Sequence, residues 1–361
     1  MGELRLMKGN EALAEAAIRA GVDAYYGYPI TPQSEVMEYL MAANPIKTTG
    51  MVVLQAESEV ASINMVYGAA GAGKKAMTSS SSPGVSLMQE GISYIAGAEL
   101  PCVTVNVVRG GPGLGTIQPS QADYFQTVKG GGHGDYKLIT LAPASVQEMA
   151  DFLKLAFDLA FKYRNPAMIL SDGVIGQMME KVELFDPIPR RTDEEVKEQC
   201  PWATTGRKKG TPHRVITSLN LVASVQEAFN QKLQDKYAKI QENEVRCELI
   251  NCDDAEYIIV AYGSSARTSM KAVDLARAKG IKAGLLRPQT LWPFPEKQIQ
   301  ALCAHAKGFL TVEMSAGQMV EDVRLAVNGK VPVEHYGRMG GMIASPGDIL
   351  AALENFINKI K

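Results

Sequence analysis

Short apolar runs alternate with segments whose apolar positions recur at three- and four-residue spacing over the first 185 residues, the pattern of a parallel α/β layer. An alanine-rich run after Asn10 predicts a helix to Ala20, stopped by Gly21. Ala24 to Tyr28 predicts a strand, broken by Pro29-Ile30-Thr31-Pro32. Val52 to Leu54 predicts a second strand, and Glu57 to Ala70 a helix whose first-turn acids complement its N-terminal charge. Lys75 to Ser79 predicts a strand that runs into Ser80-Ser81-Ser82-Pro83-Gly84, with a helix beyond. Cys102 to Val108 is an apolar strand ending at Arg109 and the loop Gly110 to Gly115. Val146 to Tyr163 has an amphipathic helical period, and Ala167 to Leu170 is the strand expected to close the layer.

The pattern then lapses. Residues 186 to 255 read as a connector: Pro189-Arg190-Arg191-Thr192-Asp193-Glu194-Glu195 and Arg207-Lys208-Lys209-Gly210 are polar and lack periodic apolar positions. A long polar helix, Leu219 to Asn243, carries Leu221, Val225, Phe229 and Leu233 on one face. From 256 a second unit begins, with strands at Tyr257 to Tyr262, Ala283 to Leu286 and Phe309 to Glu313. Helices are expected at Ser265 to Ala278, Glu296 to Ala306 and Met319 to Val327, and a last one from Ser345. The fold class is therefore α/β, with two open, mostly parallel domains at 1–185 and 256–361.

Composition acts mainly by exclusion. The 361 residues are 46% hydrophobic and 21% charged, a globular balance. A net charge of −2 gives no reason to expect nucleic acid. The N-terminal residues contain no signal-like apolar core, and no run approaches a membrane span, so a cytoplasmic location without membrane attachment is expected. Five cysteines form no C-x-x-C pair, so no iron–sulfur cluster is expected on this chain. Four scattered histidines show no metal-ligand spacing, so no metal ligands are assigned. Gly68 to Lys75 opens like a phosphate-binding loop, but it lacks the Ser/Thr and lies after a helix rather than before one. It reads as a glycine-rich helix stop. Gly110 to Gly115 lacks dinucleotide-binding spacing.

Three groups of polar residues at expected strand ends do not fit simple packing: Tyr28 to Pro32, Glu57-Ser58-Glu59, and Thr78 through Gly84. Arg109 adds a fourth. Ligands of open α/β sheets sit beyond the carboxyl ends of strands, so the clustering points to a site. These residues resemble the pyrimidine-binding domain of the 2-oxoacid:ferredoxin oxidoreductases. The likeness rests on Tyr28-Pro29-Ile30-Thr31-Pro32, the Glu-Ser-Glu helix start, Thr78 to Met88 and Val107-Val108-Arg109-Gly110-Gly111-Pro112, and on Leu286 to Pro295. It spans residues 5 to about 180 and 255 to 361, and within the family is closest to the subunit acting on 3-methyl-2-oxobutanoate (2-oxoisovalerate).

The resemblance implies a thiamine-diphosphate pyrimidine-binding domain followed by a transketolase C-terminal-like domain. It assigns Glu59 as the catalytic acid that hydrogen-bonds N1′ of the aminopyrimidine, with Pro29 and Ser82 on the cofactor side. Arg109 and Thr31 become the groups that hold the substrate carboxylate, where a guanidinium offers a two-bond fork. Each has a plainer reading: Glu59 as a complement to a helix N-terminus, Arg109 as a strand-end ion pair, Thr31 as a turn residue. Ser171-Asp172-Gly173 only partly resembles the family's magnesium-diphosphate motif, and no suitable Asn follows. The resemblance therefore places magnesium-diphosphate on a partner subunit, the iron–sulfur clusters on a ferredoxin-like one, and expects a third small subunit. The implied reaction is oxidative decarboxylation of a branched-chain 2-oxoacid with coenzyme A, reducing ferredoxin. Alternatives are the same reaction on 2-oxoglutarate or pyruvate, or a non-catalytic scaffold or regulatory subunit.

Overall fold

The computed structural model describes residues 3–207, 209–210 and 213–360; Lys208 of the connector run lies outside them. Among the described residues the strands form three sheets. The largest has seven strands, in the order Thr290–Trp292, Ile139–Leu141, Ala167–Asp172, Val103–Val108, Ala76–Ser80, Ala24–Gly27, Val52–Gln55. All pair in parallel except Thr290–Trp292, which runs antiparallel to Ile139–Leu141. Every residue of Val103–Val108 is buried, as a central parallel strand covered on both faces requires. The second sheet orders Val333–Gly337, Gly308–Glu313, Tyr257–Val260, Ala283–Pro288 and an antiparallel edge, Cys247–Ile250. Glu3–Lys8 and Met179–Leu184 make a separate antiparallel pair.

Local chemistry explains the main helices. In Val146–Tyr163 the Ser145 side chain caps the first turn, accepting from Glu148 N at 3.1 Å, and Arg164 ends the helix in the left-handed region. Met149, Leu153, Ala156, Phe157 and Ala160 are buried at helical spacing against the first sheet.

Several expectations need correction. The strand at 167 does not close the layer: Ile139–Leu141 and Thr290–Trp292 lie outside it. Both are three residues long, too short for an alternation to register. Residues 290–292 belong in sequence to the second unit but complete the first sheet. Trp292 packs edge-on to Tyr237 of the long connector helix, ring centroids 5.6 Å apart. The long helix begins at Ala223, not Leu219; Leu221 and Val225 are exposed, and burial starts at Leu233, Tyr237 and Ile240. The polar connector also has a small core of its own, Val196, Cys200 and Ala203 against Phe161 and Trp202.

Buried polar groups join the two units. Arg287 donates to both oxygens of Glu148, at 2.8 and 2.6 Å, and to Glu248 at 2.9 Å. Two carboxylates hold its guanidinium above the usual arginine range against the opposing effect of burial. Gln121 of the first unit donates to Tyr262 O and accepts from Ser265 Oγ and Met314 N, at 2.7–2.9 Å.

Candidate active site

Because six of the seven strands of the first sheet are parallel, their carboxyl ends form one rim, and every site residue singled out from sequence lies there or in the loops that follow. Ser58 starts the helix Glu59–Gly71 by accepting from Ala61 N at 3.1 Å. Glu57 is thereby left outside the helix and exposed, whereas Glu59 enters its first turn and is 6% exposed. The two acids are separated by this cap rather than by rotation round a common helix. Among the described residues the Glu59 carboxylate accepts no hydrogen bond and forms no ion pair.

Gly84, in the first turn of Pro83–Gly97, is what lets that helix approach Glu59. A Cβ there would stand 2.1 Å from Ser80 Oγ and 2.7 Å from Glu59 Oε1. The hydroxyls of Thr78, Ser80 and Ser81 are buried without partners. Ser80 Oγ and Glu59 Oε1 both lie beside Gly84, so one group sharing hydrogen bonds with the two would satisfy both.

The serine run divides into different tasks. Ser79 Oγ bonds Tyr25 OH at 2.8 Å and Gln33 Oε1 at 2.5 Å, and Gln33 in turn donates to Tyr28 O, supporting the Tyr28 to Pro32 loop. Ser82 Oγ accepts from Arg109 N at 3.0 Å and lies 3.2 Å from Arg109 O, to which it donates. Ser82 takes a positive φ of 24°, uncommon for a side-chain-bearing residue. Its N–H donates to Asn106 Oδ1 at 3.0 Å. Asn106, fully buried in the central strand, was not foreseen; a polar residue among the valines of Val103–Val108 was the available signal.

Arg109 and Thr31 meet through the main chain: Arg109 Nη1 donates to Thr31 O at 3.0 Å, and Nη2 to Leu114 O at 3.2 Å. No carboxylate pairs with this guanidinium among the described residues, and its buried Nε has no partner. Thr31 and Pro29 are exposed at the rim. Arg109 and Ser82 line a cavity of about 660 Å³ between the units, whose other wall is Met314, Ser315, Ala316 and Gln318 with Met339 and Gly340. Glu59 is not part of that lining.

Asp172, the residue of the partial magnesium-diphosphate resemblance, is fully committed elsewhere. Oδ1 accepts from Val174 N and Ile175 N at 3.0 and 3.2 Å; Oδ2 accepts from Ser264 N and Oγ at 3.1 and 2.8 Å. Burial pushes its carboxyl up from the ordinary range while these four bonds pull it down. It fastens the start of the helix Gly263–Ala278 to the first sheet.

The fold is that of a thiamine-diphosphate-binding α/β family, as the sequence comparisons show. A family model described as pyruvate flavodoxin/ferredoxin oxidoreductase, thiamine diphosphate-binding, matches residues 15–246, and one for core domain II of pyruvate:ferredoxin oxidoreductase matches 255–349. The chain belongs to this family of 2-oxoacid:ferredoxin oxidoreductases, as one subunit of such an enzyme. It is 52% identical to ketoisovalerate oxidoreductase subunit VorB of Methanothermobacter thermautotrophicus, covering 96% of each chain. It is 36% identical to 2-oxoglutarate synthase subunit KorA of Methanothermobacter marburgensis, covering 97% of this chain and 98% of that one. The structure of a 2-oxoglutarate:ferredoxin oxidoreductase from Magnetococcus marinus, with 2-oxoglutarate, coenzyme A and succinyl-CoA bound, superposes with a TM-score of 0.85 at 28% identity. That match covers all of this chain and 66% of the other. A split-gene transketolase shares the fold, at a TM-score of 0.62 and 14% identity, over 98% of this chain and 99% of that one.

Proposed function

We propose that this chain supplies the aminopyrimidine side of the cofactor site and the substrate-carboxylate anchor for oxidative decarboxylation of a branched-chain 2-oxoacid, 3-methyl-2-oxobutanoate. Coenzyme A takes the acyl group and ferredoxin the electrons. The observation that carries the substrate class is the cavity beside Arg109. Among the described residues its charged lining is Arg109 and Asp123, and Leu114, Met314 and Met339 offer apolar surface. One guanidinium suits one carboxylate, and a second would be desolvated without a partner. The 52% identity to a ketoisovalerate oxidoreductase subunit supports the same choice.

Thiamine diphosphate, when bound, supplies a nucleophilic carbon for the 2-oxo group and a sink for the charge left by decarboxylation. Glu59 holds a proton at N1′ of the aminopyrimidine, in a buried position where nothing else competes for its carboxylate. Ser80 offers a further hydroxyl beside it, and Gly84 leaves the space. Pro29 and Ser82 border it, Ser82 chiefly by fixing the main chain of Arg109. Arg109 holds the substrate carboxylate with help from Thr31. The four hydrogen bonds on Asp172 support a magnesium-diphosphate half held by a partner subunit. The clusters belong to a ferredoxin-like subunit, and a third small subunit completes the assembly.

The test assays the complete complex with 2-oxoisovalerate, 2-oxoisocaproate, pyruvate and 2-oxoglutarate side by side. Branched acids are expected to have the highest kcat/KM, because a fitting apolar tail gains roughly 1–3 kcal/mol. A preference for 2-oxoglutarate would refute the substrate assignment.

A further inference from the structure

Asp123 is a charged group of the interunit cavity that neither the cofactor rim nor the joining of the units uses. It stands immediately before the short helix Tyr124–Val128, yet its side chain makes no capping bond there. Its Oδ2 accepts instead from Asn106 Nδ2 at 2.9 Å. The other end of the Asn106 amide accepts from Ser82 N, and Ser82 in turn brackets the main chain of Arg109. One fully buried amide thus holds both the strained serine beside the cation and a carboxyl that lines the same cavity. Burial pushes the Asp123 carboxyl up from its ordinary range, and the hydrogen bond from Asn106 acts in the opposite direction.

We propose that Asp123 is a specificity-determining residue, which rejects substrates carrying a second carboxylate on the tail. A 2-oxo monocarboxylate places its one charge on Arg109 and lays an apolar tail along Leu114, Met314 and Met339. A dicarboxylate brings a second anion into a cavity that, among the described residues, offers no second cation, only the Asp123 carboxyl. Like charges in a partly desolvated site repel far more than in water. The inference deepens the substrate reading above and rests on it.

The experiment compares wild type, Asp123→Asn, Asp123→Ser and Asp123→Glu in the assembled complex. It measures kcat/KM for 2-oxoisovalerate and 2-oxoglutarate, and the competitive inhibition constant of glutarate, a dicarboxylate with no 2-oxo group. The Asn and Ser variants are expected to raise the 2-oxoglutarate to 2-oxoisovalerate ratio by about tenfold, mainly through KM, and to tighten glutarate inhibition similarly. Asp123→Glu, which keeps the charge, should hold the ratio near wild type; a merely structural role would shift it as much as Asn does. Wild type preferring 2-oxoglutarate would overturn the substrate reading and this inference together. Wild type preferring branched acids, with a ratio that the neutral variants leave unmoved, would overturn the role of Asp123 alone. If the Asn variant does not assemble, the Ser variant decides by the same criteria.

Discussion

Buried acids at the junction of the two α/β units and the buried acid at the rim of the first sheet have opposite surroundings. Asp172 accepts four hydrogen bonds. Glu313 also accepts four, from Ser315 Oγ, Gln318 N, Met319 N and Val320 N, at 2.7–3.1 Å. Glu59 is scarcely more exposed and has none among the described residues, with the unpartnered hydroxyl of Ser80 beside it. A buried polar group left without a partner costs about 1–3 kcal/mol. Saturated groups are therefore read as fastening the chain to itself, and the unsaturated set as awaiting a ligand.

The sharpest way to break the first half of this comparison is Arg287→Ala. It leaves Glu148 without its two-bond partner and removes the link to Glu248. Breaking a buried pair costs about 3–5 kcal/mol, so urea unfolding should show a loss of that order. A loss under about 0.5 kcal/mol, the range of an ordinary surface change, would mean the clamp does not join the units.

Gly84→Ala tests where the two halves touch. The added methyl would meet Ser80 Oγ and Glu59 Oε1, so stability should fall by about 1–3 kcal/mol through overpacking. Turnover per folded complex should fall as well, because Glu59 must move. Full activity in a stably folded variant would show that the close approach at Gly84 does not set the position of Glu59.

Arg109→Lys has a smaller expected effect. A point charge cannot reproduce a fork already braced by Thr31 O and Leu114 O, so KM for 2-oxoisovalerate should rise roughly tenfold. Affinity for thiamine diphosphate, titrated separately, should hold. Equal weakening of both would make Arg109 a folding or interface residue.

The fold was largely legible in the sequence because its long helices and central strands carry strong periods; Val146–Tyr163 has the same limits in both. The short strands Ile139–Leu141 and Thr290–Trp292 were invisible because three residues cannot show a pattern, and their pairing joins distant stretches of chain. At the site, the motif loops were legible as a group. Which serine does what was not, since Ser79, Ser80 and Ser82 differ only in the tertiary partners they meet. Asn106 and Asp123 escaped notice for the same reason: their importance lies in one hydrogen bond between residues 17 apart.

The central claim, that the unsaturated rim is the aminopyrimidine site, is tested most directly by the turnover of Glu59→Gln in the assembled complex, measured beside Glu57→Gln with melting temperature as the control. The amide at 59 cannot supply the acid proton, so reduction of ferredoxin or a viologen dye should fall on the order of 10²–10⁴-fold with Tm unchanged. Glu57, exposed and outside the helix, should tolerate the change. Retained turnover in Glu59→Gln, or a loss of activity that follows a loss of stability, would contradict the account.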